Sequence, residues 1–249
     1  MKLLVAYALD PEFEPWRKRL RTEKIVVEDV TLYRAEIGGA RVDFVVTGMG
    51  REHAARTMTA LVDIPYDACI ASGLAGSLKV ECAAGDVVVA EAVSAGDGQE
   101  AISGNARMIA EAARCGARQI VTLVSCERVV ATAKEKAALA SSGDAVDMES
   151  YAVLDAARRR SIPAVAIRAI SDRHDQDMPL DFSNAVDERG QVAIGKVLLM
   201  AAGNPAKISA LMQLGRDSKA AALALAEFLN AYLQALASGG AGIQVTGAS

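Results

Sequence analysis

Carboxylates end two of the apolar runs in this chain. The stretch "AVDMES" places Asp147 and Glu149 directly after one run, and "IRAISD" ends another run on Asp172. A carboxylate is costly to bury without a partner, so one at the end of a buried strand either faces a ligand or caps the next helix. In the first case it can bind hydroxyl groups or transfer a proton; in the second it is structural.

Five polar or glycine-rich groups follow predicted strands. They are "ALDPEFE" (8–14), "TGMGRE" (47–52), "ASGLAGSL" (71–78), "DMES" (147–150) and "SDRHD" (171–175). Ligands of parallel α/β sheets bind at the carboxyl ends of the strands, so five such groups predict one binding rim. Each also has a structural alternative, because glycine turns, a solvated Glu12 in a first helical turn and caps at Glu149 or Asp172 need no ligand.

Short apolar runs alternate with helical patterns along the chain. The runs at 3–9, 42–46, 68–72, 86–93, 119–124 and 163–170 predict strands, and the stretches 51–62, 105–115, 134–141 and 149–160 predict helices. Most of the runs are continuously apolar, as in strands covered on both faces. The pattern predicts a single-domain, three-layer α/β/α fold with a central mixed, mainly parallel sheet.

Two segments depart from this alternation. The two runs around "IGGA" within 23–46 predict a β-hairpin with a Gly-Gly turn. The C-terminal part, 192–237, reads as helices separated at Asn204-Pro205 and at Gly215. The domain therefore spans 1–237, and 238–249 is predicted to be a mobile tail.

Composition excludes several classes of protein. Of the 249 residues, 52% are hydrophobic, which suffices for one buried core, and the net charge of −4 does not suit a nucleic-acid surface. No uncharged apolar stretch is long enough to predict a membrane span. The four cysteines have no CxxC spacing, which favours free thiols in the cytoplasm. The two histidines lack ligand spacing, so no metal is expected.

The motifs together resemble those of the nucleoside phosphorylase and nucleosidase superfamily, especially the branch that cleaves methylthioadenosine and S-adenosylhomocysteine. "AVDMESYA" and "VAIRAISD" carry the resemblance, supported by "KLLVAYALDPEFEP", "VTGMG" and "SGLAGSLKVECAAGDVVVAE". It covers roughly residues 1–185. It implies cleavage of the N-ribosidic bond of a purine nucleoside.

The resemblance also implies roles for individual residues. Asp172 would be the general acid that protonates the leaving purine, with a pKa raised by a closed apolar site. Glu12 would position or deprotonate the attacking water. Glu149 would bind the ribose hydroxyls and stabilise the developing cation, with Met148 packed on the sugar. The remaining substrate-binding positions are Ser72, Gly73, Ala75, Gly76, Val130 and Ser171.

Two features bear on the substrate. Val129 and Val130 stand where the nucleosidases carry an aromatic residue, so stacking on the base is lost. "SDRHDQDMPLDF", "DERG", "KVLLMAAGNP" and "LGRDSKAAALALAEFL" resemble the bacterial hopanoid-associated phosphorylases. This implies a 5′-substituted adenosine such as adenosylhopane, in hopanoid biosynthesis. The apolar C-terminal helices would then either bury against the sheet or a partner subunit, which is the preferred interpretation, or border over 192–214 a groove that receives the lipid or touches the membrane surface.

Several alternatives stay open. The nucleophile is water or inorganic phosphate, the latter as a co-substrate and the only small molecule needed besides the nucleoside. No arginine precedes "SGLAG", while Arg51 and Arg56 follow "TGMG" and can still bind phosphate. A non-catalytic nucleoside-binding domain of the same fold is the alternative function. A dehydrogenase is disfavoured, since no G-x-G-x-x-G follows the first strand. The family implies a homodimer or larger homo-oligomer.

Overall fold

The computed structural model describes residues 1–96, 98–179, 190 and 205–239. Its strands are β1 (Lys2–Tyr7), β2 (Glu23–Val27), β3 (Val30–Ile37), β4 (Ala40–Val46), β5 (Ala68–Ser77), β6 (Val87–Ser94), β7 (Ile102–Ser103), β8 (Arg118–Ser125), β9 (Ala145–Asp147) and β10 (Ala164–Asp172). Its helices are α1 (Asp10–Arg17), α2 (Arg51–Ala60), α3 (Ala106–Arg114), α4 (Ala133–Leu139), α5 (Ser150–Arg159) and α6 (Pro205–Ser238). The six predicted strands and the four predicted helices in this part of the chain are all confirmed.

The strands form one mixed sheet that closes on itself. β5 pairs in parallel with β1 and β10 and antiparallel with β9, while β8 joins β9 to β6, and β6 pairs with β10. These five strands make a ring, from which β1, β4, β3 and β2 extend as an open sheet. The closure brings the ends of β5, β9 and β10 to one place, which the sequence pattern alone does not predict.

Helices cover both faces of the sheet and make three layers. Alternate residues of β1 face opposite cores: Leu3 and Val5 pack in the cluster that includes α1, α3 and α6, and Leu4 and Ala6 pack in the cluster that includes α2 and α5. Burial on both faces explains why the strand is apolar at every position. The expected hairpin is β3–β4, and the positive φ angles of both turn glycines, Gly38 and Gly39, suit a tight turn.

Three local predictions are corrected. "SGLAGSL" is mostly not a turn, because β5 runs straight through it to Ser77. The acidic segment after β1 is a helix, α1, and Glu12 on it is buried rather than solvated. The predicted helix break at Gly215 is wrong, because α6 continues through that residue to Ser238. The first of the expected C-terminal helices, which begins at 192 and ends before Asn204-Pro205, and most of the tail, 240–249, lie outside the described residues.

The helix α6 is long and apolar enough, by length and composition alone, to be a candidate membrane span over Ile208–Ser238. Half of an 18-residue apolar stretch of this helix is buried inside the molecule. Ala221, Leu225 and Leu229 are almost fully buried in the cluster shared with α1 and α3. Burial of this kind is what a core helix of a globular domain requires, so the apolar composition has a structural cause.

Gly215→Ala tests the continuity of α6. Gly215 is exposed, a Cβ added there would meet open space, and its φ is not positive. Alanine in a helix interior is favoured over glycine by roughly 0.5–1 kcal/mol, so the variant should melt about 1–4 °C higher. Gly85→Ala is the control, because Gly85 also faces open space but has a φ of +93° and should lose stability. A lower melting temperature for Gly215→Ala would place a helix end at that residue.

Candidate active site

The described part of the chain contains a cavity of about 610 Å³ at the ends of β5, β9 and β10 and the start of α1. Its polar lining includes Glu12, Asp147, Glu149, Ser171 and Asp172. The rest of the lining is largely apolar. All five predicted groups therefore border this cavity: the start of α1, the 47–52 turn through Met49, β5, the end of β9 and the end of β10.

Arg168 lies beneath the carboxyl groups and is 1% exposed. Its Nη2 is 2.5 Å from Asp147 Oδ2 and 3.9 Å from Glu149 Oε2. It also donates to Ser150 Oγ and to the carbonyl of Ser72. One guanidinium on β10 thus joins β5, β9 and the start of α5. The sequence placed Arg168 inside a motif without indicating where its side chain points.

Glu12 is held by three backbone amides. Its Oε2 accepts from the N–H groups of Ala8 and Leu9, and its Oε1 accepts from the N–H of Leu74. Burial raises the pKa of the Glu12 carboxyl, while Arg168 and these amides oppose the rise. A buried carboxyl whose position is fixed and whose pKa is raised is suited to accept a proton.

Glu149 occupies the N-cap position of α5 but does not cap it. Its Oε1 accepts from the N–H of Gly50 at 2.7 Å, and Asp147 Oδ2 accepts from the N–H of Ser150 instead. The capping alternative for Glu149 is therefore wrong, and Asp147 takes that role. Burial, followed by the charge of Asp147, raises the pKa of Glu149 to about 8. Burial therefore favours the protonated form of this carboxyl group, whereas a negative charge was expected there.

Asp172 is held by two donors. Ser171 Oγ donates to its Oδ1 at 2.7 Å, and Lys136 Nζ on α4 donates to its Oδ2 at 2.5 Å. Both oxygens of the Asp172 carboxyl group therefore accept hydrogen bonds. A closed apolar site was expected to surround Asp172, and the structure adds two polar contacts to it, from a buried lysine and a serine hydroxyl. Nothing in "AKEKAAL" distinguished Lys136 from a solvated lysine, because its burial depends on the packing of α4 against the end of β10.

Two glycines of β5 leave space for these side chains. A Cβ at Gly73 would lie 2.5 Å from Arg168 Nη1 and 2.8 Å from Glu12 Oε2, and Gly73 has a φ of +138°. A Cβ at Gly76 would lie 2.9 Å from Asp172 Oδ2. The glycines are therefore needed because acidic and basic side chains cross the strand at these points.

Most of the predicted site residues line the cavity; they are Glu12, Ala75, Gly76, Val130, Met148, Glu149, Ser171 and Asp172. Ser72 and Gly73 lie behind the wall, where Ser72 is 1% exposed and its carbonyl binds Arg168. Arg51 donates to the carbonyls of Ala95 and Ser125, and Arg56 is exposed on α2. Asp147, Arg168 and Lys136 were not among the predicted site residues, although Asp147 opens the "DMES" motif.

The other end of the cavity is formed by α6. Leu211 and Leu214 line it, together with Ile208 and Met212, which are 46% and 60% exposed. Val129 and Val130 add to the apolar lining of the same cavity. The cavity thus has a polar end built by the sheet and an apolar end that reaches solvent along α6.

Sequence comparison adds two findings. A family model described as the phosphorylase superfamily matches residues 2–201. A futalosine hydrolase from Streptomyces coelicolor is 28% identical over 200 residues, which are 69% of this chain and 84% of that protein.

Solved structures give the same picture of the fold. A mutant 5′-methylthioadenosine/S-adenosylhomocysteine nucleosidase from Helicobacter pylori, crystallised with 5′-methylthioadenosine in the active site, matches with a TM-score of 0.74 and 17% identity over 93% of this chain and 97% of that one. The futalosine hydrolase of H. pylori matches with a TM-score of 0.73 and 17% identity over 94% and 97%. A nucleosidase from S. pneumoniae has a TM-score of 0.73 and 22% identity over 95% and 100%. At these identities the likeness concerns the fold.

Glu149→Gln tests the raised pKa. The folded state keeps a proton on Glu149 up to about pH 8, whereas the unfolded chain loses it near 4.5. Stability from this group is therefore complete below pH 4.5 and declines as the pH rises towards 8. The melting temperature of Glu149→Gln relative to wild type should rise by at least about 2 °C between pH 5 and pH 8.

The control is Glu81→Gln, because that side chain is exposed. Its melting temperature relative to wild type should be the same at both pH values. An equal offset at pH 5 and pH 8 for Glu149→Gln would show that Glu149 is ionised throughout this range and would contradict the assignment.

Proposed function

The chain belongs to the phosphorylase superfamily, and from this premise we propose that it is an enzyme that cleaves the N-ribosidic bond of a purine nucleoside, as a nucleosidase or a nucleoside phosphorylase. One observation carries the proposal: two separate sets of acidic side chains border the same cavity. Glu12 and Glu149 lie around Arg168, and Asp172 forms an ion pair with Lys136. Cleavage leaves positive charge on the ribose and negative charge on the base. The ribose therefore needs a nearby negative charge, and the base needs a proton donor.

The ribose binds at Glu149 and Met148. Glu149 accepts hydrogen bonds from the sugar hydroxyls, and Met148 packs against the ring. The raised pKa of Glu149 suits this role, because positive charge that develops on the ribose lowers that pKa and favours the carboxylate form beside the cation. Stabilisation is then greatest in the transition state, which is the condition for catalysis.

The nucleophile approaches from Glu12. The three amides that hold Glu12 fix its carboxyl at the cavity wall, and its raised pKa suits acceptance of a proton from water. With phosphate as the nucleophile, Glu12 orients the anion rather than deprotonating water. No other cofactor enters the proposal.

The base binds between Asp172 and the valines. Asp172 delivers a proton to the departing purine, and Ser171 keeps its carboxyl oriented through the 2.7 Å hydrogen bond. Val129 and Val130 provide flat apolar contact without aromatic stacking. The alternative is a nucleoside-binding domain without turnover, which has no need for an acid on one side and a base on the other.

The 5′ substituent extends towards α6. The names of the similar proteins include 5′-methylthioadenosine/S-adenosylhomocysteine nucleosidases, so 5′-substituted adenosines are the substrate class to test first. The apolar end of the cavity, with Ile208 and Met212 reaching solvent, fits a bulky apolar group such as the triterpenoid of adenosylhopane. We propose that substrate, a place in hopanoid biosynthesis, and a homodimer or larger assembly.

Adenine release tests the reaction. Purified protein is incubated with adenosine, 5′-methylthioadenosine and a 5′-alkyl adenosine, each with and without inorganic phosphate. Asp172→Asn should lower turnover by at least about 10²-fold while substrate still binds, because an amide cannot pass on a proton. If turnover requires phosphate, the protein is a phosphorylase. If turnover proceeds without phosphate, it is a nucleosidase.

Two results would contradict the proposal. Tight binding of all three nucleosides without release of adenine in either buffer would favour the non-catalytic domain. Turnover by Asp172→Asn within about threefold of wild type would remove Asp172 from the proton transfer. Binding of the variants is measured by calorimetry, so that loss of the fold is not mistaken for loss of chemistry.

Met212→Asp and Ile208→Asp test the lipid end of the cavity. Both side chains are substantially exposed, so a charge there should leave the melting temperature unchanged. It should raise KM for a long-chain 5′-alkyl adenosine by about tenfold or more, because burying the chain against a carboxylate is unfavourable, and leave methylthioadenosine unaffected.

The matched control is Val80→Asp, since Val80 is 71% exposed and does not line the cavity. It should behave as wild type with both substrates. Equal losses on the long-chain and the methylthio substrate in folded Met212→Asp would refute the lipid assignment.

A further inference from the structure

Lys136 is a fully buried cation that the mechanism above does not use. It lies on α4 with no solvent exposure, and its three N–H donors are all engaged. They reach Asp172 Oδ2 at 2.5 Å, the carbonyl of Arg173 at 2.6 Å and the carbonyl of Gln176 at 3.0 Å. Burial of an ammonium group is costly unless it is paired, so this arrangement needs a reason.

Hydrogen bonds at the start of α4 and in the turn after β10 hold Lys136 next to Asp172. Thr132 caps α4, and Glu135 accepts from the N–H groups of Ala131 and Thr132. Asp177 Oδ1 accepts from the N–H of Ala133, which ties the turn after β10 to the start of the same helix. Two of the lysine's donors serve that turn, and the third is directed at a carboxyl group that lines the cavity.

The other charged side chains on α4 and on the turn after β10 are exposed or have partners other than Lys136. On α4, Lys134 is exposed and Glu135 pairs with Arg128. On the turn after β10, Arg173 pairs with Asp175 in solvent, and Asp177 binds the start of α4. The ionic partner of Lys136 among these groups is Asp172.

The donors around Asp172 raise a problem for its role as an acid. Both of its oxygens accept hydrogen bonds, one from the hydroxyl of Ser171 and one from the ammonium of Lys136, so a proton for the purine has to reach the carboxyl group from a donor behind it. The ammonium of Lys136 does carry protons, one of them on the hydrogen bond to Asp172. A purine leaving as an anion is a far stronger base than a carboxylate and can take a proton from an ammonium group through it.

We propose that Lys136 is a positioning residue that acts through Asp172 and supplies the proton that reaches the leaving base; this inference rests on the proposed function. The C1′–N bond breaks, and its electron pair stays on the purine. The Nζ–H bond of Lys136 breaks and its proton passes to the Asp172 carboxylate, and a proton then passes from Asp172 to a ring nitrogen of the purine. The carboxylate is restored, and the neutral amine regains a proton from water after adenine leaves.

The experiment uses Lys136→Ala, with Lys134→Ala as the matched control on the same helix. Lys136→Ala should lower kcat for adenine release by about 10²-fold or more, with KM within about threefold of wild type, because proton delivery is lost while the groups proposed to bind the nucleoside remain. Ethylamine added to this variant should restore part of the rate, whereas tetramethylammonium, which has the charge but no proton, should not. Lys134→Ala should turn over as wild type.

A double variant tests whether Lys136 acts through Asp172. In the Asp172→Asn background, Lys136→Ala should cost less than about threefold further, because the path from the lysine is already broken. If Lys136→Ala does not fold, Lys136→Arg replaces it. Arginine keeps the charge and donors but does not release a proton in proteins, so it should be as slow as Lys136→Ala.

Three results would overturn the inference while leaving the proposed function standing. They are turnover by Lys136→Ala or Lys136→Arg within about threefold of wild type, equal rescue by ethylamine and tetramethylammonium, and additive losses in the double variant. Absence of any turnover by the wild-type protein would refute the proposed function and, with it, this inference.

Discussion

The guanidinium of Arg168 is the constraint on which the site depends. It lies among the carboxyl groups of Glu12, Asp147 and Glu149, which repel one another and are costly to bury. A single positive charge cannot neutralise three carboxylates. Asp147 is the nearest of the three, with its Oδ2 2.5 Å from Arg168 Nη2. Burial raises the pKa of Glu12 and the pKa of Glu149. The imbalance produces the protonation states that the proposed chemistry uses.

The backbone around Arg168 follows from the same constraint. The guanidinium contacts the carbonyl of Ser72 on β5 and the hydroxyl of Ser150 on α5, so it links elements that are distant in the sequence. β5 can pass between Arg168, Glu12 and Asp172 because its residues at these crossings, Gly73 and Gly76, have no side chain. The glycine pattern therefore reflects the close approach of charged side chains to a strand.

The cavity separates two kinds of environment. The sheet provides carboxyl groups held by amides, by Arg168 and by Lys136, while α6 and the valines before α4 provide an apolar surface. In the proposed reaction, the charges that develop during bond cleavage lie beside the carboxyl groups, and an apolar 5′ group lies against the apolar surface. Because α6 packs on the sheet through Leu225 and Leu229 and lines the cavity through Leu211 and Leu214, one helix contributes both to the core and to the site.

The sequence by itself determined the order of the elements and most of the site. Apolar runs predicted six strands, because burial on both faces leaves few polar positions, and the motifs around Glu12, Glu149 and Asp172 predicted three carboxyl groups that line the cavity. Only the tertiary structure decided that Lys136 pairs with Asp172, that Asp147 rather than Glu149 caps α5, that Ser72 and Gly73 lie behind the wall, and that α6 continues through Gly215. Periodicity reports which face of an element is buried. It does not report which groups from distant parts of the chain meet there, and those meetings depend on the closure of the sheet and determine the partners of each carboxyl group.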